Sequence, residues 1–342
     1  MQDRLLTDVQ EKAVALKREV AKRIVGLDDA VEAMLICLFG VSNYTENFHL
    51  LLEAIPGTGK TSFAKAVAAA TKMSMGRISF GPDILPSDIV GLEERQETAE
   101  GIRVKLTVPG PVFNNIIILD ELNRASTKAK ASILEALEEG TFTTVLGGRY
   151  ILPSPFMAIA TQNSVEAEGT FDLGRAEQDR FLMKVVMDYP TENEEVDIVR
   201  MNIDPQAKQE EICPVMSADD VLGVRSAIAR HVHVQPALYT LGRRMASLTR
   251  PEQTSLKNVK EMVSLRGGAS PRAGIHLVDA ARVYAVLHGN YYVTPADLTK
   301  MALPVFRHRI VLQYGTDKER KEEVLTDLIQ QVCNTALGPS VR

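Results

Sequence analysis

The chain has 342 residues, 45% of them hydrophobic and 24% charged, with a formal net charge of −5. That length is enough for two domains and a sizeable buried core, and the mild acidity speaks against a general affinity for nucleic acid or acidic membranes. The three cysteines, Cys37, Cys213 and Cys333, form no C-x-x-C pair and read as free thiols in a reducing compartment.

The opening stretch LLTDVQEKAVALKREVAKRI carries apolar residues at helical spacing among many charges and predicts a surface helix. The next apolar run, AVEAMLICLFGV, is too short to cross a bilayer and lacks the basic start of a signal peptide. The expectation is a cytoplasmic protein with no membrane segment. Five short apolar runs follow, HLLLEAI, GRISF, NIIILD, FMAIATQ and FLMKVVM. Continuous apolar runs of this kind suit parallel strands covered on both faces, and TSFAKAVAAATKM and TKAKASILEALEEG between them are good helix formers. Two insertions interrupt the alternation. RVKLTV predicts an extended strand, and FTTVLGGRYIL predicts a hairpin with Gly147 and Gly148 in a two-residue turn.

After DYPTENEE the character changes to helices that begin at Ser, Thr or Pro: SADDVLGVRSAIARH, PALYTLGRRMASLTR, PRAGIHLVDAARVYAVLHG and TPADLTKMALPVFRHRI, with a charged last helix from Lys318. The expected organisation is an α/β core over residues 1–203, a linker over 204–216 and an all-helical domain over 217–342.

EAIPGTGKT, residues 53–61, raises the possibility of chemistry. It matches the phosphate-cradling pattern G-x-x-x-x-G-K-[ST] except that Ala54 stands at the first glycine. An apolar strand before it and a helix after it supply the context such a loop needs, because helix N-termini favour anions. Lys60 would then reach the β- and γ-phosphates and the Thr61 hydroxyl would ligate Mg²⁺. Alanine at position 54 is tolerable unless the backbone needs a positive φ. NIIILD ends in Asp120 followed by Glu121. A carboxylate pair at the C-terminal end of a buried strand suits Mg²⁺ binding through Asp120 and general-base work by Glu121. Asn163, ending AIATQN, is a candidate to orient the hydrolytic water or to touch the γ-phosphate.

The ordered set RIVGLDDA, PGTGKT, DILPSDIVG, GPVFNNIIILDELNRA, ASILEALEEGTFT, FMAIATQN, EGTFDLG, DRFLMK, YPTENEE, GASPRA and HRI resembles the MoxR family of AAA+ ATPases. The resemblance implies a P-loop αβα nucleotide-binding domain with a parallel sheet and a helical lid. It also implies a homo-oligomeric ring, usually a hexamer, that binds ATP between neighbouring subunits. Val25 and Gly26 would line the adenine pocket, and Pro56, Gly57, Thr58, Gly59, Lys60, Thr61 and Ser62 would surround the phosphates. Asp120 and Glu121 match the Mg²⁺ and base pair, and Asn163 the first sensor. Arg180 in DRF matches the arginine finger inserted into the neighbour's site, and Arg272 in GASPRA the second sensor. Ser270 is expected to cap the helix that Pro271 opens, placing Arg272 in its first turn, near an anion. LGRAEQDRF stands where the family more often has LPEAQLDRF, so Arg175 competes with Arg180 for the finger role. The family usually works with a separate partner carrying a von Willebrand factor A domain, to remodel or mature a protein.

Other readings are a nucleic-acid motor or transcription activator, for which no DNA-reading module is visible, and a non-hydrolysing nucleotide switch. Among lesser features, His231 and His233 in HVHV read as structural rather than as a metal pair. FRHRI reads as a partner- or phosphate-facing edge, and Tyr150 on the glycine hairpin as a candidate pore contact.

Overall fold

The computed structural model describes residues 2–40, 42–43, 45, 47–54, 58–98, 101–144, 146–163, 173–187, 189–204, 210–313 and 320–338. Helices α1 (Gln2–Ala21) and α2 (Asp28–Phe39) precede β1 (Leu50–Ala54), α3 (Lys60–Ala70), β2 (Met75–Ser79) and the short α4 (Pro86–Val90). An antiparallel hairpin, β3 (Gly91–Thr98) with β4 (Gly101–Pro109), returns to β5 (Ile116–Asp120), a 3-10 turn at Leu122–Arg124 and α5 (Thr127–Glu139). A second hairpin, β6 (Thr141–Thr143) with β7 (Arg149–Ile151), is followed by β8 (Met157–Asn163), α6 (Arg175–Gln178), β9 (Met183–Met187) and α7 (Glu192–Ile203). Six helices complete the described chain: α8 (Ala218–His231), α9 (Pro236–Leu248), α10 (Lys257–Met262), α11 (Pro271–Leu287), α12 (Pro295–Phe306) and α13 (Lys321–Leu337).

The five apolar runs form one sheet in the order β2-β5-β8-β1-β9, and every pairing in it is parallel. Successive strand residues point to opposite faces, so the sheet feeds two cores. Leu50, Leu52, Ile116, Ile118, Met157 and Ile159 pack with α2, α3 and the C-terminal helices. Leu51, Ile117, Leu119, Ala158 and Ala160 pack with α4 and α5. Burial on both faces explains why β1, β5 and β9 are buried almost continuously, whereas the edge strand β2 alternates, with Arg77 and Ser79 exposed.

His49, just before β1, ties three elements together. Its Nε2 lies 2.8 Å from the Leu137 carbonyl of α5, and its Nδ1 accepts from the Ala158 N–H of β8 at 3.0 Å. Burial pushes its pKa down to about 4, so the ring is neutral and one tautomer serves both bonds. The C-terminal end of α5 therefore lies at the N-terminal edge of the sheet.

Several expectations change. The strand β3 carries LEERQET, whose polar composition gave no apolar pattern to read, and α10 was not anticipated either. The β6–β7 turn is not a two-residue one, because Thr143 faces Arg149 in the ladder. Thr144 closes it, donating its N–H to the Gly148 carbonyl at 2.9 Å, and of the two glycines only Gly147 has a positive φ. Tyr150 does not project. Its hydroxyl donates to Glu93 Oε1 at 3.1 Å and its ring meets Phe113 edge-on. His231 ends α8 while His233 bridges Tyr292, so the two share no strand. Ser270 occupies the N-cap position of α11 without capping it, and its hydroxyl donates instead to Asp179.

Asp279 on α11 is a buried acid. Burial raises its pKa to about 7, only partly offset by a hydrogen bond from Ser42 and the charge of Arg282. Its Oδ2 has no hydrogen-bond partner among the described residues. A folded-state pKa above the ordinary 3.8 means that the folded protein holds a proton the unfolded chain releases. The stability this provides is complete below the ordinary value and is lost as pH rises through about 7. Asp279→Asn is accordingly expected to raise the melting temperature by several degrees near pH ~8.5 and by little near pH ~4. Equal shifts in thermal melts at both pH values would contradict this account.

Candidate functional site

The strand β1 ends at Ala54 and α3 begins at Lys60, so the loop between them leaves the C-terminal edge of the sheet at an inner strand. Ala54 is a regular strand residue, paired with Asn163 on one side and Met187 on the other. Extended backbone suits alanine as well as glycine, so the substitution at the first position of the pattern costs no strain. Gly59 does need to be glycine, because it precedes α3 with φ 80° and ψ 15°. Lys60 Nζ donates to the Ala54 carbonyl at 3.2 Å. Burial lowers its pKa, against the raising influence of Asp120 and Glu121. Both carboxylates therefore lie within electrostatic reach of the lysine, as the sequence predicted. Pro56 and Gly57 lie outside the described residues, as does the side chain of Asn163.

Beside the start of α3 opens a cavity of about 950 Å³, lined by Val25, Gly26, Thr58, Gly59, Ser62, Tyr189 and Val199 among others. Its size and its mixed apolar and polar lining suit a nucleotide. Gly26 has φ +73°, and a Cβ there would sit 2.7 Å from the Glu194 carboxyl carbon. Glu194 in turn caps α7 by accepting from the Thr191 N–H at 2.7 Å and hydroxyl at 2.8 Å. The glycine thus lets the RIVG turn close against α7.

The carboxylate pair is held more tightly than the sequence indicated. Thr161, buried in β8, donates its hydroxyl to Asp120 Oδ1 at 2.9 Å and accepts the Glu121 N–H at 3.1 Å. Glu121 has φ 55° and ψ 45°, the left-handed region that a non-glycine residue rarely adopts. Arg77 on β2 donates Nε and Nη2 to Asp120 Oδ2 at 2.9 and 2.5 Å. The Glu121 carboxylate pairs with Arg124 at 3.1 Å. Asp120 and Thr61 offer the hard oxygen donors that Mg²⁺ takes, and Asp120 is already surrounded by donors that fix its orientation.

The arginines lie elsewhere. The parallel register pairs Leu50 with Met183 and Ala54 with Met187. The phosphate loop leaves β1 at the C-terminal edge, while Asp179 and Arg180 precede β9 at the N-terminal edge. Five strand residues separate the two ends by about 13 Å, beyond the reach of an arginine side chain. Arg180 Nη2 pairs with Glu138 Oε2 at 2.8 Å, and Arg272 Nη2 with Glu138 Oε1 at 2.8 Å. The anion expected near Arg272 is thus the Glu138 carboxylate of the chain itself, with Asp179 Oδ2 at 3.9 Å from Arg272 Nε. Arg175 is engaged differently, its guanidinium donating to the carbonyls of Arg266 and Gly268. Arg309 of HRI is buried rather than an exposed edge. It donates to Asp179 Oδ1 at 2.8 Å, and to the Leu182 carbonyl at 3.1 Å and the Phe181 carbonyl at 2.5 Å.

Sequence reasoning missed Thr161, Arg77 and Glu138. Each carried a signal: a hydroxyl and a cation inside apolar strand runs, and a carboxylate in the last turn of a helix, where the dipole disfavours it.

A profile described as "ATPase family associated with various cellular activities (AAA)" matches residues 49–183, and one described as "AAA lid domain" matches residues 260–332. The chain is 38% identical over 321 residues to the protein named Chaperone MoxR1 of Mycobacterium tuberculosis, covering 92% of this chain and 80% of that one. It is 30% identical over 350 residues to Protein MoxR of Methylorubrum extorquens, covering 98% of both. The chain belongs to the MoxR family of AAA+ ATPases. A crystal structure of a protein from Cytophaga hutchinsonii assigned as an ATPase superposes with a TM-score of 0.79 at 30% identity, covering 95% of this chain and 96% of that one. The parallel sheet followed by helices is accordingly the AAA+ core with its lid, and nucleotide binding comes with it.

In this MoxR-family chain the Thr161 hydroxyl ties the two acidic residues to one another. Thr161→Val keeps the shape and removes both bonds, and is expected to lower ATP turnover about 10- to 100-fold through misplacement of Glu121. Thr161→Ser should restore most of it. Valine and serine variants of equal turnover would show the bonds to be incidental.

Proposed function

We propose that the chain hydrolyses ATP at interfaces between copies of itself and uses the cycle to remodel or mature a separate protein. The observation that carries this reading is the separation of parts. The phosphate loop and the acidic pair share one edge of the sheet, Arg180 and Arg272 share the other, and a neighbouring copy would bring the two edges together. A closed ring is the assembly that lets every site be completed in this way, and six subunits is the number the family resemblance implies. The chaperone name of the Mycobacterium tuberculosis relative supports a protein as the object of the work. A cytoplasmic protein and a partner bearing a von Willebrand factor A domain complete the proposal.

In the site so completed, backbone N–H groups at the start of α3 and Lys60 bind the phosphates. Lys60 leaves the Ala54 carbonyl to do so. Thr61 and Asp120 would hold Mg²⁺, which when bound neutralises phosphoryl charge. Glu121, aimed by its left-handed backbone and by Thr161, takes a proton from the attacking water. Asn163 at the end of β8 orients that water. The neighbour's Arg180 and Arg272 stabilise charge on the transferring group. Arg175 is the weaker candidate for that work, since its guanidinium already satisfies two lid carbonyls.

Turnover per subunit should climb with protein concentration until the assembly is complete. Glu121→Gln should bind ATP while losing about 10²- to 10⁴-fold in turnover. Arg180→Ala should bind ATP and lose about 10³-fold or more, with a smaller loss for Arg175→Ala. Wild-type rates in Arg180→Ala would dismiss the neighbour-completed site.

Arg77 generates a separate expectation for the cation. A guanidinium on Asp120 Oδ2 opposes Mg²⁺ by charge and by occupying an acceptor. Arg77→Gln is expected to lower the Mg²⁺ concentration for half-maximal turnover by about three- to tenfold. A titration of turnover against Mg²⁺ that does not move would exclude this competition.

A further inference from the structure

One carboxylate holds both arginines of the exposed edge, and it comes from an unexpected place. Glu138 sits in the last turn of α5 beside Glu139, and no basic residue occupies that turn. A helix C-terminus carries partial negative charge, so two carboxylates there are unfavourable on the helix alone. The compensation is tertiary. Glu138 gives Oε2 to Arg180 of the DRF turn and Oε1 to Arg272 of the lid, both at 2.8 Å. Burial acts to raise the Glu138 pKa, but hydrogen bonds and charge from Arg272 and Arg180 outweigh it and the net shift is downward. Arg180 is incompletely satisfied by this arrangement. Its Nη1 donates to the Ala176 carbonyl at 2.7 Å, while Nε is buried with no partner among the described residues.

Two guanidiniums presented to two oxygens of a single anion is also the arrangement that clamps a phosphoryl group. Glu138 remains substantially accessible, at 41% side-chain exposure, and lies at the solvent side of the pair. Asp179 stands behind it, fixed by Arg309 and by the Ser270 hydroxyl. Arg272, with Asp179 Oδ2 at 3.9 Å from its Nε, would thus keep one anion nearby if Glu138 left.

We propose that Glu138 is the resting partner of the arginine pair, holding Arg180 and Arg272 side by side until a phosphoryl group of the neighbouring copy's nucleotide takes its place. This rests on the neighbour-completed site described above. Glu138 acts on the reaction through the two arginines and is a positioning residue. By competing for them it sets how much nucleotide is needed to engage the second edge. Without a neighbour's phosphate both arginines stay paired with Glu138.

The test measures steady-state ATP hydrolysis for wild type, Arg180→Ala, Glu138→Gln and Glu138→Ala at one saturating protein concentration, with thermal melts of each variant. Glutamine keeps the shape and removes the competing charge, so KM for ATP should fall about three- to tenfold. The change should be carried by KM rather than kcat. Glu138→Ala should shift KM in the same direction. A slow Arg180→Ala together with an unchanged or raised KM in both Glu138 variants would overturn the exchange and leave the neighbour-completed site standing. An Arg180→Ala enzyme as fast as wild type would overturn both. A lowered melting temperature in the Glu138 variants with KM unmoved would assign Glu138 a purely structural role, and the proposal would be wrong.

Discussion

The direction of a parallel sheet is the constraint on which the rest of this molecule depends. Every strand in the sheet runs the same way, so loops leaving strands and turns entering them collect at opposite edges. A phosphate loop must follow a strand and precede a helix, which puts Lys60 at the exit edge. The DRF turn precedes its strand, which puts Arg180 at the entry edge. No rotamer choice can bring them together across the width of the sheet. The separation of Lys60 from Arg180 follows from chain direction before any side chain is considered.

The lid is attached so that it follows the arginine edge. Arg309 reaches from beyond the end of α12 into the turn before β9, binding the side chain of Asp179 and the carbonyls of Phe181 and Leu182. Arg175 reaches in the other direction, from α6 to the backbone at Arg266 and Gly268. The Ser270 hydroxyl, released from capping α11, binds Asp179. A buried arginine that lost these partners would be strongly destabilising, so the core and the lid hold a defined relation at this edge.

How much of this was legible depends on the range of the interaction involved. The inner strands were readable because burial on both faces leaves mostly apolar runs, which is a local property; the edge strand β2, MGRIS, alternates in burial instead. The phosphate loop was readable because its chemistry needs small residues at fixed spacing, and Ala54 proved compatible because strand geometry extends through it. The strand β3 was not readable: LEERQET has no apolar alternation and a single β-branched residue, Thr98, and it is a strand because β4 pairs with it. Thr161, Arg77 and Glu138 were legible only as anomalies. Their partners lie 40, 43 and 42 or more positions away, at Glu121, Asp120 and Arg180, and nothing local specifies such partners. The failed cap at Ser270 has the same origin, since Asp179, 91 residues earlier, competes for a hydroxyl that local rules assign to the helix.

The charged groups at the two edges share a further property. Asp120 is neutralised by Arg77, while Glu138 faces Arg180 and Arg272. Half-buried charges left without partners are expensive, so a subunit that must exist alone has to close its own ion pairs. A site that, as proposed, receives a cation at one edge and presents cations at the other would then work by exchange of partners. Exchange costs less than creation of charge, because each departing ion pair is replaced by another of the same sign and similar geometry. It also makes the two edges responsive to the same event. In the proposed cycle a Mg²⁺-bearing nucleotide would bring positive charge to the aspartate of one copy and negative charge to the arginines of its neighbour at once, whereas either charge alone would leave one of these pairs intact. Under that proposal, selectivity for the complete ligand would follow from how the empty subunit satisfies its own electrostatics.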